Sequence, residues 1–212
     1  AEGSLNTGTS GAVTSTYNAG TGVWTASGAV ANVNALLAGL TFTPAANFNS
    51  NFTIATSVSD GVAAAITGTK TMTGTAVNDA PSATNLSASE TYTEDTALNL
   101  TDIVISDVDS SSVTATLTLS NIAAGSLNTA TSGAVTSTYN AGTGVWSASG
   151  ALADVNTLLA GLTFTPAANF NGNFSIATSV SDGTASITGT KTMTGTAVND
   201  APVLDNTATM TL

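Results

Sequence analysis

Polar and apolar residues alternate along much of this chain. Val113-Thr-Ala-Thr-Leu-Thr-Leu119 does so, and Phe174-Ser-Ile-Ala-Thr-Ser-Val180 sets Phe174, Ile176 and Val180 on one face. A period of two, rich in β-branched residues, predicts half-buried strands. Gly and Asn clusters such as Asn140-Ala-Gly-Thr-Gly144 separate them, as turns require. One stretch departs from the pattern. Ala151-Leu-Ala-Asp-Val-Asn-Thr-Leu-Leu-Ala-Gly-Leu162 spaces Leu152, Val155, Leu158 or Leu159, and Leu162 as a helix does. Ser149 is the candidate N-cap there, and Gly161 suits the C-terminal turn. Ala29–Leu40 repeats this segment, so one short helix per unit is expected.

For residues 82–202 the pattern predicts seven strands: Leu86–Leu100 (with a break), Val113–Ser120, Gly133–Tyr139, Gly144–Ala148, Leu162–Thr165, Asn173–Val180 and Ser186–Val198. Seven short strands with turn signals suggest an all-β, immunoglobulin-like β-sandwich. Trp146, Phe164, Phe170 and Phe174 are its expected core anchors, with Trp24, Phe42, Phe48 and Phe52 as their earlier counterparts. In the last strand Thr188, Thr190, Thr192, Thr194 and Thr196 share one face, read as a polar β-surface. The other face carries Ile187, Lys191 and Met193, so Lys191 is expected at a sheet edge or with its ammonium led out to water.

The pattern itself is copied. Residues Gly3–Asp60 recur as Gly125–Asp182 with seven differences: Gly8/Ala130, Thr25/Ser147, Val30/Leu152, Asn32/Asp154, Ala35/Thr157, Ser50/Gly172 and Thr53/Ser175. After a one-residue deletion, Gly-Thr-Lys-Thr-Met-Thr-Gly-Thr-Ala-Val-Asn-Asp-Ala-Pro is identical at 68–81 and 189–202. A chain that copies a whole unit is read as an array. The frame gives a partial repeat at 1–81 lacking its first strands, a complete repeat at 82–202, and the first strand of a following repeat at 203–212. We expect a window on a longer chain.

Composition narrows the chemistry. Thirteen Asp and Glu face only Lys70 and Lys191, a net charge of −11. That excludes the basic patches nucleic-acid binding needs and disfavours anionic membrane surfaces. Without Cys or His there is no thiol chemistry, imidazole catalysis or common zinc site. No apolar run approaches the ~20 residues that span a bilayer.

The acids fall in short motifs: Thr93-Glu94-Asp95-Thr96, Asp107-Val108-Asp109, Ser181-Asp182-Gly183 and Asn199-Asp200-Ala201-Pro202. Ser59-Asp60-Gly61 and Asn78-Asp79-Ala80-Pro81 are the earlier copies of the last two. Alternating strand directions would put Asp107, Asp109, Asn169, Asn171, Asn199 and Asp200 at one end of a unit. Asp182 would lie at the other end, beside Asn78 and Asp79 of the preceding linker. Each junction between units would then gather carboxylates that repel one another without a cation, and calcium takes six to eight oxygen ligands. The candidate metal residues are Asn78, Asp79, Glu94, Asp107, Asp109, Asp182, Asn199 and Asp200. They do not form an EF-hand, since the sixth position counted from Asp107 is Ser112 and the twelfth is Thr118. Asp60 and Asp182, each beside Gly, are the ones most readily explained as turn formers.

Thr93-Glu-Asp-Thr96, Asp107-Val-Asp109, Gly161-Leu-Thr-Phe-Thr-Pro-Ala-Ala-Asn-Phe-Asn-Gly172, Val180-Ser-Asp-Gly183 and Thr196-Ala-Val-Asn-Asp-Ala-Pro202 together resemble the cadherin-like tandem repeats of giant bacterial surface adhesins. The resemblance covers nearly the whole chain. It implies extracellular β-sandwiches strung end to end, with Ca2+ rigidifying the linkers, serving attachment, biofilm formation or fibres. The partners it implies are neighbouring repeats and cell-surface or polysaccharide targets. Two other readings stand beside this non-enzymatic spacer. One is a subunit of a filament joined by donated strands. The other is a carbohydrate-binding module using Trp24, Trp146, Tyr17 and Tyr139. A glycosidase needs two opposed carboxylates in a cleft, and acids at repeat ends do not supply them.

Overall fold

The alternating segments form strands in a computed structural model that describes residues 2–202. The chain is mostly β-structure, with two short α-helices. It divides into two compact units, Ala1–Val77 and Asn78–Leu212. The strand expected at 203–212 lies outside the described residues. Unit 1 holds β1 (Gly3–Leu5), β2 (Thr9–Ser10), β3 (Val13–Thr14), β4 (Thr16–Asn18), β5 (Val23–Thr25), α1 (Val30–Ala38), β6 (Phe42–Pro44), β7 (Phe52–Val58) and β8 (Ile66–Met72). Unit 2 opens with β9 (Ser82–Ala83), β10 (Glu90–Thr93), β11 (Leu98–Asn99), β12 (Ile105–Ser106) and β13 (Ser112–Leu119). After a 3-10 turn at Ile122–Ala124 come β14 (Gly125–Leu127), β15 (Thr131–Ser132), β16 (Val135–Thr136), β17 (Thr138–Asn140) and β18 (Val145–Ala151). The unit ends with α2 (Leu152–Ala160), β19 (Thr163–Pro166), β20 (Phe174–Ser181) and β21 (Ser186–Thr196).

In unit 2 one sheet has six strands in the order β10-β21-β20-β13-β18-β17, and a second has three, β11-β19-β14. Every pairing in them is antiparallel except β10 with β21. The alternation in sequence becomes alternation in burial: β13 turns Val113, Ala115, Leu117 and Leu119 inward. One core joins these to Trp146, Phe164, Phe174, Ile176, Val180 and Met193, and to Val155, Leu158 and Leu159 of α2. A fully buried side chain of this size contributes about 1.5–3 kcal/mol. The threonine face of β21 is exposed, as its pattern implies.

Two expectations about local detail change. Ser149 does not cap α2: the N-cap is Ala151 with no side-chain bond. Ser149 instead pairs with Thr114 across the β13–β18 ladder at 2.8 Å. The strand runs two residues past the predicted cap, which carries Ser149 out of capping range. Lys191 is neither at an edge nor led to solvent. It is 0% exposed, and its Nζ donates to Glu90 Oε1 at 2.9 Å and to the Thr101 carbonyl at 3.0 Å. The cause is the parallel strand β10, which covers the edge of β21 and brings Glu90 inward.

β10 also supplies a core residue that the aromatic count did not single out. Tyr92 is 1% exposed, among Phe164, Phe170 and Phe174 at centroid distances of 5.3, 6.4 and 5.8 Å. Its hydroxyl donates to the Gly172 carbonyl at 2.5 Å. A buried phenol needs such a partner.

Candidate metal centre at the linker

The register of one short pairing brings the linker to its partners. β12 runs antiparallel to β9, with Ile105 opposite Ala83 and Ser106 opposite Ser82. Continued outward by three residues, that register sets Asp109 opposite Asp79. The Asp79 backbone N–H donates to Asp109 Oδ2 at 3.0 Å. β12 is itself held by α2: Asn156 accepts from Ile105 N at 2.8 Å and donates to Ile105 O at 2.9 Å. The helix thereby fixes the strand from which Asp107 and Asp109 emerge.

Asp182 enters from the β20–β21 turn. Its Oδ1 accepts from Thr184 N and Ala185 N at 2.7 and 2.6 Å, and its Oδ2 from Asn78 Nδ2 at 2.9 Å. It is a turn former and a linker contact at once. Asp60, its counterpart, caps its own turn through Val62 N and Ala63 N at 3.0 and 2.9 Å. Asp107 caps its loop, its Oδ1 accepting from Asp109 N and Ser110 N at 3.1 and 2.8 Å. Its Oδ2 is buried and has no hydrogen-bond partner.

These contacts set the electrostatics. The Ser110 backbone N–H, helped by Asp109, holds the Asp107 carboxyl below its ordinary value, although burial and the nearby Asp182 charge push it upward. Asp182 is held low by Ala185 N–H, then the Asn78 amide and Thr184 N–H. Both are held low enough to remain ionised at neutral pH, and the Asp182 charge acts on Asp107.

The other candidates sit elsewhere. Glu94 is 3% exposed, and its Oε1 accepts from Val198 N at 2.5 Å while its Oε2 accepts from Asn171 Nδ2 at 2.9 Å. Asp95 Oδ1 accepts from Asn169 N at 3.0 Å. Asn199 and Asp200 follow directly on Val198 and are exposed. The eight candidates therefore divide. Asn78, Asp79, Asp107, Asp109 and Asp182 gather beside the start of β21, and Glu94, Asn199 and Asp200 lie beyond its end. At about 3.3 Å per residue, the eleven residues of β21 hold the two groups roughly 35 Å apart.

The placement of Asp107 and Asp109 with Asn169, Asn171, Asn199 and Asp200 is thus incorrect. Thr93–Thr96 forms an extra reversal, with Asp95 at φ 60°. The segment read as one broken strand, Leu86–Leu100, goes out as β10, parallel to β21, and turns back as β11, after which the chain continues through β12. That reversal changes the parity and carries Asp107 and Asp109 to the Asp182 end.

The first group fits a hard cation in kind: its ligands are carboxylate and amide oxygens, and one carboxylate oxygen is buried without a partner. Asp107, Asp182, the Asn78 and Asp79 oxygens and water could complete a calcium shell. As they stand, however, no three Asp or Glu among the described residues lie close enough to share one ion. Glu94 fits a metal less well, because both its oxygens already accept hydrogen bonds.

Of the four aromatics named for sugar binding, Trp146 is closed into the core, while Trp24, Tyr17 and Tyr139 are half-buried. Trp146 is 0% exposed, and its indole N–H donates to Asn128 O at 3.0 Å. Tyr139 and Tyr17 donate to Gly125 O and Gly3 O at 3.2 and 3.1 Å. Among the described residues no helix is long and apolar enough to cross a membrane. No protein-family model matches the chain, and no curated protein matches it.

Proposed function

We propose that this chain is a non-enzymatic spacer of an extracellular adhesive or fibre-forming repeat protein, built of cadherin-like β-sandwiches whose linkers bind calcium. The observation that carries the reading is the gathering of linker, loop and turn at one end of unit 2. Asn78 and Asp79 bond to Asp182 and Asp109, next to a buried Asp107 oxygen without a partner. The core, drawn from a six-stranded and a three-stranded sheet, supports the sandwich.

The linker peptide supports the spacer role through its repetition. Thr-Ala-Val-Asn-Asp-Ala-Pro occurs at 75–81 and at 196–202. Unit 2 shows what both halves do. At its exit Val198 N is held by Glu94, and at its entry Asn78 and Asp79 are held by Asp182 and Asp109. In an array each linker would be gripped by the unit it leaves and by the unit it enters. Calcium on the entry carboxylates would offset their repulsion and stiffen that grip. Free calcium at 100 times its dissociation constant adds about 2.7 kcal/mol per site.

Calcium binding by the 212-residue chain, followed by isothermal titration, tests the reading. Binding is expected to weaken at least tenfold in Asp107→Asn and in Asp182→Asn, and to persist in Glu94→Gln. Absence of binding up to millimolar calcium would remove the metal from this account.

A further inference from the structure

The chain enters unit 2 beside the start of β21 and leaves it beyond the end of the same strand. At the entry Asn78 and Asp79 bond to Asp182 and Asp109, and at the exit Val198 N bonds to Glu94. Between those points one segment runs alongside β21. β10 pairs with it in parallel, from Glu90 opposite Met193 to Thr93 opposite Thr196. The contacts continue in the same register on both sides. Thr190 N donates to Ser87 Oγ at 3.1 Å before the ladder, and Glu94 N donates to Thr196 O at 3.1 Å after it. Leu86 O accepts from Thr178 Oγ1 of β20 at 2.9 Å.

Parallel strands that receive the chain from opposite ends are loaded in shear. Tension between the linkers draws residues 86–94 toward the start of β21 and β21 the other way, so the ladder bonds resist together rather than in turn. β9, nearer the entry, is paired through only two residues, so tension passes on to Leu86. Side chains lock the register. A Cβ on Gly189 would come within 2.7 Å of Leu86 Cβ, and one on Gly195 within 2.8 Å of Tyr92 Oη. Each bulky side chain thus sits in a notch left by a glycine of β21. A slip of two residues toward the entry would carry Tyr92 from Gly195 onto Met193, which is 0% exposed. It would also pull the phenol from the Gly172 carbonyl, and Glu90 from its place between Lys191 and Thr101. Such overlap in a packed core is unfavourable.

We propose that residues 86–94 and β21 form a shear clamp through which unit 2 carries tension. Leu86 and Tyr92 are its bolts, seated in the two glycine notches, with the buried Lys191–Glu90 pair between them. The clamp serves only a chain pulled at both ends, so it rests on the spacer reading; it does not rest on calcium.

Single-molecule pulling of the 212-residue chain in chelator is the test. The sequence has no Cys, so paired substitutions at exposed positions give unique handles. Ala80→Cys with Ala201→Cys loads unit 2 through its linkers. Thr96→Cys with Ala201→Cys, both at the exit end, peels β10 from β21 pair by pair. The force at rupture reports the unfolding barrier, and it is expected to be at least twofold higher along the linkers than in peeling. Leu86→Ala is expected to lower the linker force and to leave the peeling force nearly unchanged, whereas a general loss of stability would lower both alike. Equal forces in the two geometries, or an equal fall in both with Leu86→Ala, would overturn the clamp. Calcium binding at the linker stands or falls separately, by its own titration.

Discussion

Tyr92 and Lys191 are the residues on which the folded unit most depends for specificity. Tyr92→Phe keeps the ring and leaves the Gly172 carbonyl unpaired. A loss of about 1 kcal/mol is expected, against about 3–5 kcal/mol for Tyr92→Ala, both read from urea unfolding of unit 2. Lys191 and Glu90 form a buried pair whose remaining valences go to Thr101: its N–H and hydroxyl each donate to Glu90 at 3.0 Å. Removing one partner strands the other charge, so Lys191→Met is expected to cost about 3–5 kcal/mol, and Lys191→Met with Glu90→Leu much less. Lys70→Met, at the exposed counterpart, is expected to stay within about 0.5 kcal/mol. The alternation of β21 identified the face of Lys191 correctly but not its fate. Glu90 lies 101 residues away, and its own pattern, Glu90-Thr-Tyr92, gives no sign that the pairing will be parallel.

Among the elements, the long alternating strands and the helices were legible in the amino-acid pattern, because each buries one face against a single core. The opening segment was not. Its strands β9, β10, β11 and β12 have two to four residues each, too short for periodicity to declare a reversal, and the turn at Asp95 contains neither Gly nor Pro. The site depends on that reversal, so the placement of Asp107 near Asp182 had to be seen in three dimensions. A related contact separates the two copies of one glycine. A Cβ on Gly189 would come within 2.7 Å of Leu86 Cβ and 2.8 Å of Leu86 O, whereas on Gly68 it would meet only the Thr56 hydroxyl at 3.1 Å. Gly189→Ala is expected to destabilise unit 2 by about 1–3 kcal/mol, and Gly68→Ala to leave unit 1 nearly unchanged, by the same unfolding assay. The turn carboxylates give a pH dependence. Asp107 and Asp182 are held below their ordinary values in the folded state. Their contribution is therefore present above the unfolded value and is lost as pH falls through the lower, folded one. In chelator, the unfolding midpoint of unit 2 is expected to hold from pH 7 to 5 and to drop below about pH 4. Asp182→Asn should make that drop shallower.

At the scale of the whole molecule, the proposed spacer role rests on the ends of unit 2 rather than on a cleft. The acidic residues gather at the two ends of β21, and the repeated linker peptide meets one group on entry and the other on exit. The repeat frame, Asn-Asp-Ala-Pro included, was visible as letters. That one copy meets Asp182 and Asp109 while the other meets Glu94 followed only from the registers of β12 with β9 and β10 with β21. The most direct measurement is calorimetric melting of the 212-residue chain in chelator and in excess calcium. With free calcium at 100 times its dissociation constant, the unit 2 transition is expected to rise by about 2.7 kcal/mol, several degrees for a domain of this size, and not to rise in Asp107→Asn. Identical melting in calcium and in chelator would contradict the account.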